Sequence, residues 1–83
     1  MDPTARGGAA ETLAVLDRLD ALYGQLAPLE RQYRDWAREY QQTGVPHDQS
    51  EFGDLQARIH AIRQRIGDAR AALRALAAPG GAR

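Results

Sequence analysis

Three side chains able to hold a cation fall close together in the segment QQTGVPHDQSEFGDL, residues 41–55: His47, Asp48 and Glu51. An imidazole and two carboxylates make a metal site only if three or four ligands converge on one point. The second histidine, His60, lies further along the chain and adds no fourth ligand by spacing. Ser50 is the only serine, and no helical spacing sets a histidine beside it as a base. No His-Glu-x-x-His pattern, calcium-binding loop or glycine-rich phosphate loop occurs. The chain has no cysteine, which excludes thiolate sites and disulfides. No catalytic residue, cofactor or metal ligand is therefore assigned, and a small-molecule or metal site at the bend is the weakest reading.

The same residues have a simpler occupation. Thr43-Gly44 ends a helix, because glycine enters the left-handed conformation without penalty. Pro46 prevents the helix from resuming. Asp48 is placed to cap the next helix, and Glu51 three residues on completes a capping-box pattern. Its charge also suits the positive end of the helix dipole. Only His47 has no part in this turn.

The elements that meet at the turn are written in heptads. In the first segment Thr12, Leu19, Leu26, Tyr33 and Tyr40 recur every seventh residue, and Val15, Leu22, Leu29 and Trp36 fill a second row three residues later. In the second, Phe52, Ile59, Ile66 and Leu73 alternate with Leu55, Ile62, Ala69 and Leu76. These are the a and d positions of a coiled-coil-like seam. The expected fold is all-α: an antiparallel helical hairpin with helices over 9–42 and 49–77, a bend over 43–48 and disordered tails at 1–8 and 78–83. Pro28 interrupts the first helix, but the heptad phase runs through it, which predicts a kink rather than a break. Two registers keep the seams facing: Trp36 beside Phe52, or Tyr40 beside Leu55.

Composition narrows the function further. Eleven arginines and no lysine balance eleven acids, so no net field favours nucleic acid or an anionic membrane. The N-terminus MDPTARGGAAETL has neither a signal-peptide pattern nor a long apolar run, and the default expectation is a cytoplasmic protein.

LDRLDALYGQL followed by TGVPHD resembles the all-helical chorismate mutases, which share a leucine-aspartate rhythm and a Gly-x-Pro-x-x-Asp approach to a second helix. The resemblance covers the first helix and the bend only. By helical spacing, that family's cationic and helix-two site positions fall at Glu30, Gln41, Glu51 and Phe52, and only Asp48 matches. A pocket for a dicarboxylate needs those cations, so the resemblance carries no active site here.

What remains is association. At 83 residues the chain is small for a single buried core. The seam of Leu19, Leu22, Leu26, Leu29, Tyr33, Trp36, Tyr40, Phe52, Leu55, Ile59, Ile62, Ile66, Leu73 and Leu76 is the expected association surface. Leu13, Leu16 and Tyr23 widen the apolar face far from the bend, a candidate partner-facing flank; the bland alternative is that Tyr23 lies along the surface with its hydroxyl in water. The leading expectation is a non-enzymatic helical interaction module, pairing with itself as a homodimeric four-helix bundle or with a helical partner. The alternative is a nucleic-acid-binding hairpin that tracks phosphates with Arg58, Arg63, Arg65, Arg70 and Arg74. A simpler use of those arginines is pairing across the hairpin, Glu30 with Arg63 and Glu39 with Arg58.

Overall fold

The computed structural model describes residues 3–46 and 48–77, with side chains from residue 8 onward. It contains two helices, α1 over Pro3–Thr43 and α2 over Gln49–Ala77, and no strand among the described residues. They pack against one another as a hairpin measuring 64 × 21 × 18 Å.

Helix α1 starts earlier than the composition of its N-terminus suggested. Residues 3–8, read above as a tail, are helical from Pro3 onward. Proline suits a first helical position, where its fixed φ is already helical and its missing N–H would have no intrahelical partner. Thr12, the one polar residue of the heptad rows, donates its hydroxyl to the Gly8 carbonyl at 2.8 Å. That bond satisfies it on the helix's own backbone. The tail assigned to 78–83 lies outside the described residues.

The helix passes through Pro28 without a break. Proline has no N–H to give the carbonyl of Gly24, four residues back. Both residues are exposed, so water reaches the orphaned oxygen and the seam stays in phase on the opposite side.

The bend is built as its residue types require. Gly44 has φ of 71° and donates its N–H to the Tyr40 carbonyl at 2.8 Å, the single-bond left-handed helix terminus. Thr43 works in both directions there. Its hydroxyl donates to the Glu39 carbonyl at 2.9 Å and accepts the Val45 N–H at 3.1 Å. Across the turn, Asp48 Oδ1 accepts the N–H groups of Ser50 at 2.8 Å and Glu51 at 3.2 Å. Two of the four orphan donors of α2 are satisfied by one carboxylate.

The core is one strip between the helices. Val15, Leu19, Leu22 and Leu26 from α1 meet Leu55, Ile59, Ile62, Ile66 and Ala69 from α2, none more than 8% exposed. Leu29, Tyr33, Trp36 and Leu73 pack partly buried against it. No polar residue is buried among the described residues. The register sets Phe52 4.9 Å from Tyr33 and 6.2 Å from Trp36, ring centre to ring centre. Of the two registers the heptads allow, it is the one with Trp36 beside Phe52.

Candidate functional site

The bend is a capped turn. Asp48 spends its carboxylate on two backbone N–H groups. His47 lies outside the described residues, so the trio with Asp48 and Glu51 has no described geometry. Among the described residues no group of three or more His, Asp or Glu side chains is placed to hold a metal ion.

Next to the bend, Tyr33, Trp36, Tyr40, Pro46 and Phe52 line an open groove rimmed by Gln41, Gln49 and Gln56. Its lining carries no charged side chain. Tyr33, Trp36 and Phe52 are half-buried there as an extension of the core. Tyr40, assigned above to the seam, is 54% exposed. It stands within the last turn of α1, where the chain turns away and no further turn of α2 packs over it. Leu76, one residue from the end of α2, is exposed as well.

The remaining seam residues are consumed inside the chain. Each helix's a and d positions are covered by the other helix, so the strip expected to carry association is already filled by the hairpin's own pairing. The surface left outside this strip is that of the flanks.

The two flanks differ sharply. One groove is lined by Glu30, Tyr33, Arg34, Gln56, His60 and Arg63. In heptad terms these outer residues occupy the e and b positions of both helices, which therefore share one side of the molecule. The other side gathers Gln25, Arg58, Ala61 and Arg65 beside Leu29 and Ile62, so the g and c positions line it. Leu13, Leu16 and Tyr23 all fall on the e/b side, and they are 62%, 41% and 47% exposed. On the g/c side the described helices show no large exposed hydrophobic residue.

The arginines assigned to phosphate contact divide between these sides. Arg63, Arg70 and Arg74 belong to the e/b flank, and Arg58 with Arg65 to the other. Arg63 is held by Glu30 at 2.5 Å, the cross-hairpin pair read from the sequence. The second such pair is not made: Glu39 has no ion-pair partner among the described residues, and Arg58 lines a hollow with Gln32, Glu51 and Asp54 instead. The register explains the difference. With Glu30 opposite Arg63, moving one heptad toward the bend carries Arg63 back to Gln56, while Glu39 slides past Arg58 toward the start of α2. A divided, partly neutralised set of cations makes a poor track for one phosphate backbone.

Helix α1 is also twelve residues longer than α2 (41 against 29). At ~1.5 Å per residue this is about 18 Å of helix. In the observed register the excess lies at the end away from the bend, where α1 runs past the last described residue of α2. No described helix of the chain is long and apolar enough to cross a membrane.

Compared with protein-family models, curated proteins and solved structures, the chain matches none.

Proposed function

We propose that the chain is a non-enzymatic helical interaction module, working through the e/b flank of the hairpin rather than through its seam. The observation that carries this reading is the one-sidedness of the exposed apolar residues. Leu13, Leu16 and Tyr23 lie within three turns of one helix and on one face, and each is at least 41% exposed. Scattered surface hydrophobics are ordinary, but a grouped apolar face is the usual mark of a surface that meets another protein. A helical partner suits it because rows at heptad spacing match the rows of a second helix. Completion of a four-helix bundle is the economical form of such pairing.

The test is site-specific photo-crosslinking of the full chain in cells, with the crosslinker at Tyr23 and, as a control, at Ala21 on the opposite flank. Adducts at Tyr23 and none at Ala21 are expected. Absence of adducts at both, with a monomeric mass over a hundredfold concentration range, overturns the reading.

A further inference from the structure

We infer that the occupant of the e/b flank is a second copy of this chain, stacked face to face about a two-fold axis parallel to the helices. Both bends then lie at the same end. This rests on the interaction reading above and commits it to one partner and one geometry.

The two helices carry complementary charge on this flank. On the e/b flank beyond the Glu30–Arg63 pair, α1 presents Leu16, Asp20 and Tyr23, while α2 presents Gly67, Arg70 and Arg74. All six positions are helical, and Asp20, Gly67, Arg70 and Arg74 are exposed. Carrying the side-chain offset of the Glu30–Arg63 pair one heptad outward matches Tyr23 with Arg70, and Asp20 with Arg74 to within one residue. None of the three charged residues makes an ion pair within the described chain. One helix thus offers an unpaired anion between apolar side chains. The other, at the matching offset, offers two unpaired cations beside the gap at Gly67.

A rotation about an axis parallel to the helices exchanges left and right and keeps height. It lays α1 of each copy over α2 of the other. Asp20 then meets the second copy's arginine at position 74, and the Tyr23 ring meets its arginine at position 70, a cation–π contact. Gly67 supplies the room: it has no side chain, opens to solvent and lies one turn from both Arg63 and Arg70. Every such contact occurs twice, as a closed two-fold interface requires. The alternative rotation, about an axis across the helices, stacks α1 on α1 and α2 on α2. It sets the arginines of one α2 against the other α2, which carries few acids on that face.

The geometry makes an unusual prediction for charge reversal. Asp20→Arg alone opposes arginine with arginine on both sides of the axis, and Arg74→Asp alone opposes two acids at the same two places. Each is expected to raise the dissociation constant roughly ten- to hundredfold while leaving helicity unchanged, since both residues are exposed. An equimolar mixture restores both attractive pairs in a heterodimer and recovers wild-type association. Sedimentation equilibrium of the full chain reads all three. The chain has no cysteine, so a single Val45→Cys spin label adds the orientation. The label-to-label distance is expected to be a few helix diameters, roughly 20–30 Å, instead of approaching the 64 Å length of the hairpin.

Recovery in the mixture with a short distance supports the inference. Wild-type self-association that the mixture does not restore, or bends at opposite ends, overturns this face and axis while the interaction reading stands. A wild-type monomer at every concentration overturns the second copy, and Tyr23 adducts with other proteins then still uphold the broader reading.

Discussion

Leu22→Ala is the sharpest test of whether the heptad strip is the core of a single chain. Leu22 is 6% exposed and lies midway along the α1 face of the strip. The substitution removes three carbons from a site almost closed to water. At about 0.8 kcal/mol per buried methylene, the lost transfer energy is about 2–2.5 kcal/mol. In a closed core a cavity term would carry such a change toward ~5 kcal/mol. Here the strip is one layer deep and flanked by solvent grooves, so water and neighbours fill the space and the cavity term stays small. The better helix propensity of alanine returns only a few tenths. A net loss of about 2–3 kcal/mol is expected, which for a domain of this size lowers Tm by roughly 10–20 °C. Urea unfolding followed by circular dichroism, at concentrations dilute enough to suppress association, measures it. Leu13→Ala is the matched control: at 62% exposure it is expected to stay within about 0.5 kcal/mol. Equal effects of the two substitutions, or a loss under ~1 kcal/mol at Leu22, would refute the assignment of the core.

Three further substitutions probe the frame. Pro28→Ala restores an N–H for the Gly24 carbonyl at an exposed site in α1, and is expected to raise stability by ~1–3 kcal/mol in thermal melts. Gly44→Ala forces a side chain onto φ of 71°, and is expected to cost about 1 kcal/mol, with Gly44→Asn milder. For Glu30 and Arg63, a double-mutant cycle to glutamine is expected to give a coupling of only ~0.2–1 kcal/mol, shrinking with salt, because the arginine side chain is 61% exposed.

The sequence made the hairpin legible because heptad spacing is periodic information: each buried residue repeats the evidence of the last. Val15, Leu22, Ile59 and Ile66 could be placed by counting. Register was less legible, because a shift by one seam layer keeps every apolar row facing its partner. The choice fell to the space the bend allows and to the rings of Tyr33, Trp36 and Phe52, which no count reveals. Glu39 and Arg58 show the same limit, since their pairing was read in a register the helices do not adopt. The ends were misjudged where composition stood in for geometry, as with the glycines near Pro3 that the helix accommodates. Tyr40 kept its place in the pattern but lost its cover, because periodicity does not say where the opposite helix stops. The flank around Leu16 and Tyr23 was visible as extra apolar residues outside the rows. What distinguishes it from the other flank, the matched offset of Asp20 and Arg74, needed the register first.

The single bend also imposes an order on assembly. Every contact between the helices closes a loop through residues 44–48, and the loop grows steadily with distance from the bend. Tyr33 and Phe52 close a small one, Glu30 and Arg63 a larger one spanning 33 residues, and the seam pairs beyond them larger ones still. Loop closure costs more as the loop lengthens, but once the aromatic end is joined each further layer adds only a short increment. The hairpin is thus expected to close like a zipper from the aromatic cluster outward and to open from the other end. Amide exchange should be slowest around Phe52–Ile59 and fastest toward Val15 and Leu73, a gradient that a uniformly cooperative unit would not show. The end that opens first is the one that carries Leu16, Tyr23 and Arg74. A partner seated there clamps the loose end of the zipper, so binding is expected to slow the opening of this half.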